Sequence, residues 1–127
     1  MYNPCAPMKG VPVTILDAQT VDETLSTVLA PGQGIKNHTF ILIANASVAG
    51  VGITGALALE SADLPGSEGG WAPLGGNPLD LSTIIVPAGQ LQGRISINFS
   101  NIILNALRGR ISTVVAGGTL TLVYVGQ

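Results

Sequence analysis

Hydrophobic and polar positions alternate with period two along most of this chain, the pattern of strands buried on one face. The clearest stretch is residues 107–125, Leu-Arg-Gly-Arg-Ile-Ser-Thr-Val-Val-Ala-Gly-Gly-Thr-Leu-Thr-Leu-Val-Tyr-Val. Two alternating runs flank Gly117 and Gly118, and a Gly-Gly pair supplies the positive φ angles of a tight two-residue turn. The pattern predicts a hairpin in which Val115 faces Leu120, Thr113 faces Leu122 and Ile111 faces Tyr124. Arg108, Arg110, Ser112, Thr121 and Val123 share the opposite face. A slip of one residue would turn Arg110 into the core, so the pattern fixes the register.

The upstream chain reads in the same way. Residues 10–16 form a strand through Val11, Val13 and Ile15, and residues 20–29 a second, weaker one through Val21, Leu25 and Leu29. Pro31 to Gly34 is a turn. Residues 38–44 are almost continuously apolar, which fits a strand covered on both faces or a short helix. Their length and their β-branched and aromatic content favour the strand. Its second face, carrying Ile41 and Ile43, then needs a cover, and another subunit would supply it. Residues 53–60 form a strand with Ile53, Gly55, Leu57 and Leu59 on one side. Residues 61–78 form a long Gly/Pro-rich stretch around Trp71, of a length that is usually functional or interfacial. Residues 79–86 read as a strand. Residues 91–99 alternate most cleanly, with Leu91, Gly93, Ile95, Ile97 and Phe99 in and Gln92, Arg94, Ser96 and Asn98 out. Residues 100–106 admit a short strand or one helical turn. About eight short strands without a long helix predict an all-β fold, a jelly-roll-like antiparallel β-sandwich. It would be a single domain over residues 10–127, behind an N-terminal arm of residues 1–9.

Composition changes this picture in one respect. The chain is 46% apolar but only 9% charged, against roughly 25% charged in an ordinary soluble domain. So little charge leaves much of a free surface uncovered, and burial in an assembly is the expectation. The arm fits that expectation, because Tyr2, Pro4, Pro7, Cys5 and Met8 give it more apolar bulk than a solvated tail. It would lie on a neighbouring subunit or pack on its own domain. A net charge of −2 with both signs sparse argues against nucleic acid, which needs clustered Lys and Arg. No apolar run approaches the roughly 18 residues of a membrane helix. No secretory leader is expected. Cys5 is the only cysteine, which excludes an internal disulfide and points to folding in a reducing cytoplasm.

Candidate chemistry is sparse. His38, the only histidine, heads an apolar strand and reads as a hydrogen-bonded strand-end residue rather than a catalytic base. Cys5 has only Lys9 as a basic neighbour and reads as an idle thiol. Glu60, Asp63 and Glu68 cluster near the long loop without the spacing of a calcium loop, and read as solvated acids. The glycines of residues 66–70 lack the Gly-Lys-Ser/Thr ending of a phosphate loop. Trp71, beside Ala72, Pro73 and Leu74, is a lid on the core, an intersubunit contact or a sugar-stacking platform. Arg108 and Arg110 face outward, suited to carboxylates of a neighbouring chain or to solvent. No catalytic residue, metal or cofactor is expected.

Residues 55–63 (Gly-Ala-Leu-Ala-Leu-Glu-Ser-Ala-Asp), 69–75 (Gly-Gly-Trp-Ala-Pro-Leu-Gly), 107–113 (Leu-Arg-Gly-Arg-Ile-Ser-Thr) and 117–125 (Gly-Gly-Thr-Leu-Thr-Leu-Val-Tyr-Val) together resemble small virion proteins of tailed bacteriophages. Capsid decoration, or cement, proteins are the most similar of these in size and character. The resemblance implies a structural protein that stabilises the head shell by bridging capsomers, made in the host cytoplasm and placed on the capsid surface. Its implied partners are further copies of itself, a homotrimer ahead of a dimer, and the major capsid protein, with no nucleic acid or membrane. The expected interface comprises Tyr2, Pro4, Pro7, Ile41, Ile43, Trp71, Arg108 and Arg110. A carbohydrate- or receptor-binding sandwich module of a phage tail or spike is the alternative, with Trp71 as its stacking surface.

Overall fold

A computed structural model of the chain describes residues 6–62, 70–75 and 78–127. Eight strands lie among them, in the order β1 (Val13–Gln19), β2 (His38–Ala46), β3 (Thr54–Ala62), β4 (Ala72–Pro73), β5 (Leu79–Asp80), β6 (Gln92–Phe99), β7 (Ala106–Ala116) and β8 (Gly118–Gly126). One antiparallel sheet has the order β1-β8-β2-β6. In the other, β3 pairs with β7 along its length and with β4 and β5 on its opposite edge. The outer edge of β7 carries residues 23–29, bridged at Leu25 and Leu29 rather than in a continuous ladder. If that segment counts as a strand and β4 with β5 as one interrupted strand, the sheets read 1-8-3-6 and 2-7-4-5. This is the strand order of a jelly roll, so the expected all-β, jelly-roll-like sandwich is the fold.

The core follows from strand alternation. On the first sheet His38, Phe40, Leu42 and Ala44 of β2 stand opposite Gly126, Tyr124, Leu122 and Leu120 of β8. They stand opposite Phe99, Ile97, Ile95 and Gly93 of β6 on the other side. Leu57, Leu59, Leu107, Ile111 and Val115 of the second sheet pack against them. Phe40 meets Tyr124 edge-to-face at 5.4 Å and Phe99 at 6.0 Å between ring centroids, the geometry aromatic quadrupoles prefer. Each fully buried side chain of this size contributes about 1.5–3 kcal/mol.

The predicted hairpin of residues 107–125 is not formed. β7 pairs with β3, and β8 with β1 and β2. The chain therefore arches from one sheet to the other at Gly117. The faces were read correctly, since Ile111, Val115, Leu120, Leu122 and Tyr124 are buried, but Thr113 is exposed and the strands' partners are different ones. Glycine is required here for close approach as well as for φ. A Cβ on Gly118 would collide with the carbonyl oxygen of Asn45, and one on Gly117 would come 3.2 Å from that of Gly52.

Other expectations shift more modestly. β1 begins and ends later than residues 10–16, and two register irregularities break its pairing with β8. Residues 79–86 are not one strand. After β5, the Asp80 carboxylate accepts hydrogen bonds from the Ser82 amide at 3.0 Å and hydroxyl at 2.8 Å. These bonds cap a single 3₁₀ turn, Leu81–Thr83, and hold the Asp80 carboxyl below its ordinary range. Residues 100–105 are neither strand nor helix, and Asn101 sits at a φ of 58°.

These close approaches set an expected order of glycine tolerance. Gly118→Ala should lower unfolding stability by about 2–3 kcal/mol, as overpacking against fixed backbone does. Gly34→Ala, where nothing lies within 4 Å, should change it by less than about 0.5 kcal/mol. Urea denaturation of both variants measures the difference, and equal midpoints would contradict this account of the arch.

Candidate functional site

The side chains singled out in the sequence separate onto different surfaces. Tyr2, Pro4 and Cys5, with Asp63 and Glu68, lie outside the described residues. Pro7 is half-buried beside exposed Met8, and the Gly10 amide donates to the Gly126 carbonyl at 2.7 Å, fixing this segment to the end of β8.

Ile41 and Ile43 do share a face. They project from the outer side of the first sheet, next to Val123 and Thr121 on β8 and Ser96 and Arg94 on β6. All of these except Ser96 and Arg94 are half-buried, because neighbouring side chains on the pleat cover their flanks. Around this centre runs a neutral network. Thr39 donates to Asn98 at 2.6 Å, Asn45 donates to Thr119 and Thr121, and Gln92 donates to Asn45 at 3.0 Å. The face is thus apolar at its middle and polar without charge at its rim, apart from Arg94 and nearby Asp17.

Trp71, Arg108 and Arg110 meet on the outer side of the second sheet, and their partners belong to the same chain. Glu60 of β3 stands directly across from Arg108 of β7. Its carboxylate accepts from the Arg108 Nε at 2.9 Å and from the Arg110 Nε at 3.3 Å. β4 sets Trp71 beside β3, and the Arg108 guanidinium lies 4.2 Å from the centroid of its ring, a cation–π distance. Glu60 is therefore not a solvated loop acid: its side chain is 10% exposed, and that of Arg108 15%. One carboxylate between two guanidiniums compensates the loss of water. Arg110 also reaches Glu23 at 3.1 Å, but that carboxylate is 69% exposed and contributes little. The ring face turned to Arg108 is occupied, so a ligand would have to stack on the other.

His38 is where the sequence placed it. It is fully buried, with Nε2 at 2.9 Å from the Ile102 carbonyl and Nδ1 at 2.6 Å from the Tyr124 hydroxyl. The carbonyl can only accept, so Nε2 carries the proton, and the neutral ring accepts from Tyr124 at Nδ1. Burial lowers the His38 pKa, against the opposing pull of the Ile102 carbonyl, and pushes the Tyr124 phenol well above its ordinary value. The pair fastens residues 100–105 to the core. Among the described residues, no three His, Cys, Asp or Glu side chains are grouped as metal ligands. Shallow surface depressions lie against β6 and over the Thr/Asn network.

One surface was missed in the sequence. The connections at residues 20–23, 47–53 and 84–91 and the corner between β7 and β8 at residues 113–118 converge at one end of the sandwich. Hydrogen bonds from Ala46 to Leu91, Gly50 to Gln90, Ser47 to Gly117 and Val115 to Thr20, all 2.7–2.8 Å, tie them together. Val21, Val48, Val51, Ile85, Leu91 and Val114 are all exposed there, Ile85 to 79%. Asp22 and Glu23 lie in the first connection, and the other three contain no charged residue. The signal in the sequence is Ser-Val-Ala-Gly-Val-Gly at 47–52, a turn with apolar residues where polar ones are usual.

Two outcomes follow from these contacts. Glu60→Gln should lower stability by about 2–3 kcal/mol, since it leaves two largely buried guanidiniums without their anion. Emission of the single tryptophan should change with it, whereas Glu23→Gln should stay within about 0.5 kcal/mol. As for pH, the unfolded chain binds a proton at His38 near 6.5 and the folded chain only at lower pH. Stability is therefore intact above pH 6.5 and falls as the pH drops towards the folded value. Denaturation midpoints between about pH 7 and 5 should fall less steeply for His38→Gln than for wild type, and parallel curves would exclude this contribution.

No protein-family model and no curated protein matches the sequence. Among solved structures, the chain is similar to a cleaved adhesin domain of Lys-gingipain, with a TM-score of 0.47 at 12% identity over 80% of this chain. The chain spans 59% of the length of that domain.

Proposed function

We propose that the protein is a structural virion protein, a bacteriophage capsid decoration or cement protein that binds the outside of the head shell and bridges capsomers. One observation supports this most directly: the end of the sandwich presents six large apolar side chains, five on connections and Val114 on the end of β7, among segments almost free of charge. A surface of that kind is unfavourable in water and favourable once covered by a partner. The stiff jelly roll beneath it keeps the loops at fixed spacing through backbone hydrogen bonds, so docking orders few side chains. The reading assigns the chain no chemistry. Bracing would come from apolar area buried across capsomer boundaries, at roughly 25 cal/mol per Å² before the costs of association. The partners in this reading are the major capsid protein and further copies of the chain, and the location is the capsid surface.

Val48→Asp and Val51→Asp change exposed loop residues and should leave stability within about 0.5 kcal/mol of wild type. Each should reduce co-sedimentation with purified heads of the encoding phage, stripped of this chain, by on the order of 100-fold in affinity, since a charge is then desolvated at the contact. Unchanged binding by both variants would remove this end from the contact. Absence of binding by the wild-type chain, together with saturable binding to a glycan that Trp71→Ala abolishes, would replace the reading with a carbohydrate-binding tail or spike module.

A further inference from the structure

The two sheets have four edges, and the described residues treat them differently. β1 is interrupted by two register irregularities, with Ala18 at a φ of 49°, and such bulges stop a neighbouring strand from pairing. At the other edge of the second sheet stand β4 and β5, of two residues each, and edge strands that short offer little to pair with. The segment at 23–29 is bridged only at two points and starts from Glu23 at a φ of 63°. β6 differs from all three. Its eight residues pair with β2 without a single irregularity. Among the described residues, its other edge has no backbone partner. Among the charged residues and prolines by which natural edges are protected, it contains Arg94 alone.

Side-chain burial on this edge is also incomplete. Ile95, Ile97 and Phe99 point to the core but are only half-buried, while Leu42 and Phe40, opposite Ile95 and Ile97 on β2, are fully buried. Phe99 lies against Gly75 of its own chain, whereas among the described residues no strand pairs on the outer side of Ile95 and Ile97.

We infer that β6 is an intermolecular pairing edge whose occupant is β6 of a second copy, antiparallel, about a two-fold axis at Ser96. Directly opposed residues of an antiparallel pair must share a face, so the axis passes through a residue and not between two. At Ser96 the opposed pairs are Ile95 with Ile97, Gly93 with Phe99, and Arg94 with Asn98. The Ile pair completes the half-buried inner face. Arg94 donates to the side-chain carbonyl of Asn98 instead of facing a like charge, as it would with the axis at Arg94. The two four-stranded sheets become one of eight, and the contact is isologous and closes as a dimer. It does not depend on the capsid reading, and it sets a dimer in place of the expected trimer.

The test uses the full chain in dilution series by sedimentation velocity. Wild type should be a dimer. Ser96→Lys and Ser96→Glu alter an exposed side chain, should keep the wild-type circular dichroism, and each place like charges together on the axis. Each should weaken dimerisation by on the order of 100-fold, and an equimolar mixture of the two should restore it as a heterodimer. A wild-type monomer at high concentration overturns the inference. So does an oligomer that Ser96→Lys leaves intact, or a failure of the mixture to re-form the pair.

Discussion

The rest of the structure depends on the ladder between β2 and β8. It runs through nine consecutive residue pairs, from His38 with Gly126 to Ala46 with Gly118, with no irregularity. These are the two central strands of their sheet, so their inward side chains meet the second sheet at its middle. Phe40, Leu42, Leu120, Leu122 and Tyr124 are all fully buried. Local strand propensity cannot supply this, because a lone antiparallel pair is marginal in water. The ladder holds because both of its flanks are paired and its inner face is covered. His38 and Tyr124 are the polar exception, and they satisfy each other. Their bond removes the cost of burying two polar groups and ties the connection before β7 to the core.

A second constraint is how the fold handles its few charges. Most of the buried charge is gathered where Glu60, Arg108 and Arg110 stand across β3 and β7, under Trp71. Charge spent in this way is unavailable elsewhere. What remains for the outer face of the first sheet and for the converging connections is mostly neutral polar or apolar, with Arg94 and Asp17 at the one and Asp22 and Glu23 at the other. The low charged fraction of the chain thus becomes specific surfaces: a Thr/Asn-rimmed sheet face around Ile41 and Ile43, an apolar loop end, and the unprotected edge of β6. A decoration protein, which meets both its shell and its neighbours, needs surfaces of that kind, and this correspondence supports the proposed role.

The sequence by itself determined most of the residues that face the core, though Thr113 and Leu91, expected inward, are exposed. Period-two alternation is a property of the strand alone, so Ile95, Ile97, Leu120, Leu122 and Tyr124 could be placed inward before any partner was known. It also determined the all-β class and the histidine's structural role, since one imidazole at the head of an apolar strand has little else to do. What only the tertiary structure decided is which strand meets which. Gly117 and Gly118 permit a tight hairpin and a crossing between sheets equally well. The choice lies with β3 on one side and β2 on the other, distant in sequence and invisible to local pattern. For the same reason Glu60 looked like a loop acid until β7 brought two arginines to it. The apolar loop end was hidden too, because its four segments are separated along the chain and become one surface only when the jelly roll folds them to the same end.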